Sequence, residues 1–244
     1  MALVTLPCPA LRARALRQPG PFALHQPGAR VLSRVGAAGL LLSLGVRREE
    51  WFGLRLDMPA GGGAGASTAA RVALARAAGV THREAIALAR LCSEGAVDPL
   101  MLDDPGRLLW ASRAGYVRAR LPSPLRMEIV GGFFGPMRRT DPGDAAFPDI
   151  ADLSEDWPAA CGDLTGVAAL ASESARRTIR LRGPADDPTE TLASATGALG
   201  FVIAHTGAAR GLIFAPGIVP ETTPAALRAA GFCHILRFRI GSVR

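Results

Sequence analysis

Met58-Pro59-Ala60-Gly61-Gly62-Gly63-Ala64-Gly65-Ala66-Ser67-Thr68-Ala69-Ala70 is a run of small residues that leads directly into an alanine-rich helical pattern. Its glycines permit positive φ angles, so several backbone N–H groups can converge on an anion at the positive end of the following helix. A hydroxyl of Ser67 or Thr68 at the start of that helix would either cap it or ligate a phosphate-bound Mg²⁺. The run therefore predicts a phosphate-binding loop, with an ordinary flexible turn as the alternative.

Two common nucleotide-binding motifs do not fit this loop. A Walker loop requires Gly-Lys-Ser/Thr, and the chain has no lysine, so that its 28 basic residues are all arginine. The dinucleotide fingerprint G-x-G-x-x-G does not match from either possible start. After Gly61-x-Gly63 the last glycine is replaced by Ala66, and after Gly63-x-Gly65 it is replaced by Thr68. A Rossmann-type oxidoreductase is therefore the least favoured of the enzyme hypotheses.

The composition is that of a globular protein. The 244 residues are 49% hydrophobic with a mean hydropathy of +0.22, and no apolar run approaches the length of a spanning helix. The four cysteines are far apart in the sequence, which argues against a zinc site and a disulfide framework. We expect a cytoplasmic protein without a membrane partner.

The positive charge does not by itself indicate a nucleic-acid partner. The formal net charge is +7, but the arginines are dispersed and only 5% of the residues are aromatic. No basic stripe with interleaved aromatic residues is present. We therefore expect no nucleic-acid binding, while the charge suits a polyanion such as ATP.

The hydrophobic pattern predicts clusters of strands and helices without strict alternation, which favours an α+β fold with a mostly antiparallel sheet. Predicted strands are 2–6, 11–16, 51–57, 107–111, 115–119, 126–130, 201–204, 211–215 and 232–240. Predicted helices are 29–44, 68–78, 81–92, 161–177, 187–200 and 223–231. A connection rich in proline, aspartate and glycine is expected at 135–148.

Three segments together resemble the GHMP family of small-molecule kinases. Pro59-x-x-x-Gly63-x-Gly65-x-Ser67-x-Ala69 is similar to the family's second motif, a proline, three residues and Gly-Leu-Gly-Ser-Ser-Ala; Ala64 stands in place of the leucine and Ala66 in place of the first serine. Cys92-Ser-Glu-Gly-Ala-Val-Asp-Pro99 resembles the acidic segment of the L-threonine kinase (PduX-like) branch. Ala204-His-Thr-Gly-Ala-Ala-Arg-Gly-Leu212 is similar to that branch's C-terminal glycine motif.

The resemblance implies a fold and a domain division. It implies the GHMP kinase fold, with a ribosomal S5-like, ATP-binding half at 1–120 and a ferredoxin-like half at 121–244. It also implies ATP and Mg²⁺ as cofactors, with a homodimer as one possible assembly.

The resemblance also assigns roles to individual residues. The nucleotide phosphates would be held by Pro59, Gly61, Gly62, Gly63, Ala64, Gly65, Ala66, Ser67 and Thr68. Ser67 and Glu94 would hold Mg²⁺, and Asp98 would orient and deprotonate the acceptor hydroxyl. The substrate would contact His205, Thr206 and Gly207. From their own chemistry, Arg138 and Arg139 could clamp a substrate carboxylate through bidentate hydrogen bonds, which makes Arg139 a further candidate substrate contact. Each role has a structural alternative. Glu94 and Asp98 could be solvated or cap a helix, and His205 could form a hydrogen bond with the backbone. Arg138 and Arg139 could be surface charges.

The function implied is phosphorylation of L-threonine by ATP, giving O-phospho-L-threonine for the side chain of cobalamin. Another GHMP acceptor such as homoserine is the nearest alternative. The family's first motif, similar to Pro-Gly-x-x-Gly-Glu, has no counterpart before Ala2-Leu-Val-Thr-Leu-Pro-Cys-Pro9. We therefore expect either a start upstream of the one given or a catalytically weak nucleotide-binding protein.

Overall fold

The computed structural model describes residues 2–28, 30–46, 50–80, 98–100, 102–112, 114–138, 141, 144 and 146–242. The predicted helix at 81–92, together with Glu94 and Arg139, lies outside these ranges. None of the described helices is long and apolar enough to span a membrane.

The N-terminal half contains a three-stranded sheet covered by two helices. Its elements are β2 (Ala13–Pro19), β3 (Ala23–His25), α1 (Arg34–Ser43), β4 (Glu50–Leu56) and α2 (Ala66–Ala77). The strand order is β2-β4-β3, with β2 antiparallel and β3 parallel to β4.

The core of this half is formed where β4 meets the two helices. Phe52 and Leu54 are buried on β4, as the alternation in the sequence predicts, and they share a cluster with Leu41 of α1 and Leu74 of α2. Because this packing fixes α2 against the sheet, it also fixes the loop that precedes the helix.

Helix α2 begins directly at the glycine run. Its N-cap residue Gly65 has a φ of +68°, a left-handed conformation that glycine adopts without a steric penalty. The helix starts at Ala66, two residues before the predicted start, and Gly79 follows its end with a φ of +92°.

A second sheet joins the N-terminus to the middle of the chain. It has the order β1-β5-β6, from β1 (Leu3–Val4), β5 (Leu108–Ala111) and β6 (Tyr116–Arg120). Val4 and Leu109 pack into a core cluster formed mainly by the C-terminal half.

The C-terminal half is built on a four-stranded antiparallel sheet. Its elements are β7 (Met127–Phe133), α3 (Ala151–Ala160), α4 (Leu164–Arg182), α5 (Thr189–Thr196), β8 (Gly200–Ile203), β9 (Ala209–Phe214), α6 (Thr223–Ala229) and β10 (Cys233–Ile240). The strand order β10-β7-β9-β8, with every pair antiparallel, is the ferredoxin-like order.

The main differences from the sequence prediction lie in the helices. The predicted helix at 161–177 is instead α4, which Asp163 caps by accepting hydrogen bonds from the backbone N–H groups of Thr165 and Gly166. Helix α3 lies in a segment for which no element was predicted, between the connection expected at 135–148 and the helix expected at 161–177, and its Pro158 and acidic residues weaken the local helical signal. Strand β3 was also missed, since a strand of three residues has too few positions to show alternation.

Candidate active site

The glycine run adopts the irregular backbone that its composition predicts. Gly61, Gly63 and Gly65 have φ angles of +77°, +79° and +68°, a region in which residues with a side chain are strained. A turn within the loop is closed by the Gly62 N–H, which donates to the Pro59 carbonyl over 3.3 Å. The loop therefore changes direction several times immediately before the N-terminus of α2.

This loop packs directly on the turn between β8 and β9. A Cβ on Gly207 would stand 2.5 Å from the Gly63 nitrogen, so the two glycines allow the backbones to touch. The N–H groups of Ala208 and Ala209 both donate to the Gly62 carbonyl, over 2.8 and 2.7 Å. Two glycine motifs that are distant in the sequence thus form one surface.

Arg138 anchors a third segment to the same loop. Its backbone N–H donates to the Gly61 carbonyl over 3.0 Å. A Cβ atom added to Gly61 would lie only 3.0 Å from the backbone carbonyl carbon of Arg138, so the two backbones are in close contact. The segment that follows β7 is therefore held beside the glycine loop.

Asp98 lies next to the first turn of α2, beside Gly65 and Thr68. A Cβ on Gly65 would stand 3.2 Å from Asp98 Oδ2, and the Asp98 side chain hydrogen-bonds Thr68. Burial raises the pKa of the Asp98 carboxyl above its usual range, and the hydrogen bond from Thr68 works in the opposite direction. The carboxyl is thus positioned at the N-terminal end of α2, where the helix dipole favours negative charge.

The two hydroxyls at the start of α2 point to different partners. Thr68 is buried, whereas Ser67 is exposed and its Oγ accepts a hydrogen bond from Arg71 one turn further along the helix. An exposed hydroxyl oxygen suits a hard cation such as Mg²⁺, which prefers oxygen ligands. Glu94, the expected second ligand, lies outside the described residues, and within those residues no cluster of three or more His, Cys, Asp and Glu side chains is placed to hold a metal.

A cavity of about 350 Å³ lies against the turn between β8 and β9. Its wall contains basic and acidic side chains together with a histidine: Arg138, Asp141, Asp144, Arg182, His205 and Arg210. Thr206 and Gly207, which contact the glycine loop, form part of the same wall. The cavity therefore borders the turn that contacts the glycine loop.

Two of the three arginines around the cavity are held by carboxylates. Arg182 donates to Asp144 over 2.6 Å, and Arg210 pairs with Asp187 over 3.0 Å with both side chains almost completely buried, at 4% and 1% exposed. Arg210 also donates to the Gly207 carbonyl over 3.0 Å, which links this ion pair to the turn. The two ion pairs fix the shape of the wall.

His205 places an unsatisfied nitrogen beside this cavity. Its Nδ1 is buried and has no hydrogen-bond partner among the described residues. Burial, followed by the charge of Arg182, lowers the pKa of the imidazole below its usual range. Both influences favour the neutral form of the imidazole.

The structure brings together most of the residues that the sequence singled out. The loop from Pro59 to Thr68, Asp98 and the turn from His205 to Gly207 lie around the N-terminus of α2 and the adjacent cavity. The roles of Ser67 and Asp98 stay predictions, and so do those of Glu94 and Arg139, which lie outside the described residues.

Several charged residues of the cavity wall were not predicted. Arg182 and Asp144 were not selected, because isolated charged residues in an arginine-rich chain carry no spacing signal, and Arg210 was quoted only as part of the C-terminal glycine motif. Asp187 begins the helix predicted at 187–200, and its side chain accepts a hydrogen bond over 3.0 Å from the N–H of Thr189, the first residue of α5. Its partnership with Arg210 depends on the packing of α5 against β9.

Comparisons with known proteins were made by sequence and by structure. No family model matches the chain, and a search of curated proteins finds no significant match. Solved structures do match: homoserine kinase from Cytophaga hutchinsonii ATCC 33406 aligns at 16% identity and a TM-score of 0.55, over 96% of this chain and 85% of that chain. Mevalonate kinase from methicillin-resistant Staphylococcus aureus MRSA252 aligns at 14% identity and a TM-score of 0.57, over 95% of this chain and 88% of that chain.

A third match is 4-(cytidine 5'-diphospho)-2C-methyl-D-erythritol kinase, at 20% identity and a TM-score of 0.54, over 94% of this chain and 86% of that chain. These three proteins are kinases of the GHMP superfamily. Because the alignments cover nearly the whole chain, they show that it has the GHMP kinase fold, which confirms the expected fold class.

Proposed function

We propose that this protein is a small-molecule kinase that transfers the γ-phosphoryl group of ATP to the side-chain hydroxyl of an amino-acid-like acceptor, with L-threonine as the first candidate. The observation that supports this most strongly is the convergence of the glycine loop, Asp98 and the turn from His205 to Gly207 at one end of α2. The product would be O-phospho-L-threonine for the cobalamin side chain.

The glycine loop supplies the binding site for the triphosphate. Gly61, Gly63 and Gly65 have left-handed backbone conformations and no side chains, so phosphate groups can approach the backbone N–H groups at the positive end of α2. Many fixed dipoles would then balance the phosphate charge in place of a lysine, which this chain lacks. Arg71, whose guanidinium reaches Ser67 at the loop, adds a cation at the same end of the helix.

Asp98 is the proposed general base. The acceptor hydroxyl oxygen attacks the γ-phosphorus, the bond from that phosphorus to the bridging oxygen of ADP breaks, and the hydroxyl proton passes to the Asp98 carboxylate. A positioned base contributes a rate factor of ~10²–10⁴, and positioning with charge neutralisation supplies most of the remainder. A pKa raised by burial makes the carboxylate a stronger base than an exposed aspartate.

Mg²⁺ would be held by the Ser67 hydroxyl, by the carboxylate expected from Glu94 and by the nucleotide itself. When bound, the cation neutralises phosphate charge as it develops. Arg71 would then exchange its hydrogen bond to Ser67 for one to a phosphate oxygen.

The cavity beside the turn is the proposed acceptor site. Its wall offers Arg138 for a carboxylate, the carboxylate of Asp141 for an ammonium group, and His205 for a neutral polar group. This mixed set of charges complements a zwitterion better than it does a polyanion. A volume of about 350 Å³ admits an amino acid with room for water.

A coupled assay of ADP release tests the proposal. The purified protein is given Mg·ATP with threonine, serine, homoserine or mevalonate, and the product is identified by ³¹P NMR. We expect turnover with threonine that requires Asp98, and turnover with homoserine alone would replace threonine as the acceptor. ATP binding by calorimetry without turnover on any acceptor would indicate a nucleotide-binding protein instead of a kinase.

A further inference from the structure

The two adjacent hydroxyls at the start of α2 have separate environments. Ser67 is exposed and engaged by Arg71, whereas Thr68 is only 2% exposed. The sequence pattern places both residues in the phosphate-binding group, since both stand where the glycine loop becomes helix. The tertiary structure separates them, because only Thr68 faces the carboxyl of Asp98.

We propose that Thr68 is a positioning residue for Asp98 rather than a ligand of the nucleotide phosphates. This inference rests on the proposed function, because it concerns the base of the same reaction. Its geometric support is the hydrogen bond between the two side chains and the position of Asp98 Oδ2, which would lie 3.2 Å from a Cβ on Gly65. The carboxyl is therefore confined between the backbone of Gly65 and the hydroxyl of Thr68.

Hydrogen-bonding capacity explains why one hydroxyl does not serve both partners. An ionised carboxylate only accepts hydrogen bonds, so Thr68 Oγ1 must be the donor, and a hydroxyl has only one proton to donate. A phosphate oxygen also needs a donor. While Thr68 donates to Asp98 it has no proton left for the nucleotide, and its burial keeps it away from the exposed side of the loop where Ser67 lies.

The hydrogen bond has two consequences for a base. It fixes the direction in which the free oxygen of the carboxylate points, and a base must lie within hydrogen-bond reach of the proton it removes. It also favours the ionised form, against the burial that favours the protonated one. Among the described residues, burial and Thr68 are the two influences on this carboxyl, and no arginine contributes.

Thr68→Val tests the proposal, because valine keeps the shape and removes the hydroxyl. Thr68→Ser serves as the rescue variant. Thr223→Val is a matched control: Thr223 is also fully buried near the start of a helix, but its hydroxyl has no partner among the described residues. Any general effect of removing a buried threonine hydroxyl would appear in that control as well.

With Thr68→Val we expect kcat to fall about 10- to 100-fold and the acidic limb of its pH profile to move to higher pH, with the calorimetric Kd for Mg·ATP unchanged. Thr68→Ser should restore both quantities, and Thr223→Val should change neither. A Thr68→Val protein that loses Mg·ATP affinity in parallel with kcat would overturn the proposal, as would one with an unchanged pH profile.

A second measurement separates this inference from the proposed function. The Asp98 carboxyl is titrated by ¹³C NMR in the protein without nucleotide or metal, using Asp98→Asn to assign its signal. We expect Thr68→Val to raise the measured pKa of the Asp98 carboxyl, because the hydrogen bond that lowers it is lost. If the wild-type protein phosphorylates no acceptor, the proposed function fails, but an unchanged carboxyl pKa in Thr68→Val is what refutes the inference about Thr68.

Discussion

Gly63 and Thr206 are in direct backbone contact, although most of the chain separates them in sequence. A Cβ on Gly63 would stand 1.7 Å from the Thr206 carbonyl oxygen, which leaves no room for any side chain. This contact joins the phosphate-binding loop of one half to the turn that borders the cavity in the other. The candidate site therefore depends on both halves of the molecule.

Gly63→Ala is expected to disrupt the loop. Gly197→Ala is the matched control, because Gly197 has a similar φ of +69° but open space around its Cβ position. We expect the control to lose ~1 kcal/mol from backbone strain alone. Gly63→Ala should lose more and should also abolish Mg·ATP binding, as measured by chemical denaturation and calorimetry. Equal losses in the two variants, with binding retained, would contradict the contact.

Asp98→Asn is expected to lower kcat by ~10²–10⁴ and to leave the Kd for Mg·ATP almost unchanged. The asparagine keeps the shape of the side chain but cannot accept the hydroxyl proton. In the wild type the rate should fall as the pH falls through the raised pKa of this carboxyl, because protonation removes the base. The measurement is a pH profile of kcat for both proteins, and a profile that is flat in the wild type would argue against Asp98 as the base.

His205→Ala is expected to raise the KM of the acceptor about tenfold, because the imidazole lines the cavity that we propose for the acceptor. The KM of ATP should stay the same. Since the pKa of His205 is lowered, the wild-type imidazole stays neutral as the pH falls from 8 to 7, and the acceptor KM should be constant over that interval. A change confined to the KM of ATP would place His205 at the nucleotide instead.

Arg210→Met is expected to destabilise the fold by ~3–5 kcal/mol, because it leaves the buried carboxylate of Asp187 without its partner. The control is Arg14→Met, whose partner Asp57 lies in an ion pair with side chains 55% and 29% exposed. That exposed pair should contribute less than ~1 kcal/mol. Urea denaturation of both variants measures the difference, and similar losses would show that the pair is not buried.

Glu128→Gln tests an electrostatic contribution to stability. Hydrogen bonds from Arg237 are the main cause that lowers the pKa of Glu128 from 4.5 to about 2. Because both partner arginines are about half exposed, we expect a loss of ~2 kcal/mol at pH 7, less than the shift alone would give.

The pH dependence gives the sign of this effect. A carboxyl with a depressed folded pKa stabilises the fold above its unfolded pKa, and that contribution is lost as the pH falls through the folded value. The difference between wild type and Glu128→Gln should therefore shrink between pH 4.5 and pH 2. Denaturation curves at pH 7 and pH 3 check this, and a difference that grows with acidity would exclude the mechanism.

Local sequence was sufficient to predict much of the fold. The alternation around Phe52 and Leu54 predicted β4, and the small residues before Ala66 predicted a loop with left-handed glycines followed by a helix. These features depend on neighbouring residues alone, through steric limits on φ and through the period of apolar positions. Helix α3 was missed for the same reason, since a proline and acidic residues carry the opposite local signal.

The amino-acid sequence by itself determined that a glycine loop leads into a helix, that the fold is α+β and which motifs carry the candidate chemistry. Only the tertiary structure decided which partner each residue meets: Thr206 lies against Gly63, Arg210 pairs with Asp187, and Thr68 turns to Asp98 while Ser67 stays exposed. The physical reason is that backbone conformation is limited by adjacent residues, whereas burial and ion pairing depend on which distant segments the sheets bring into contact.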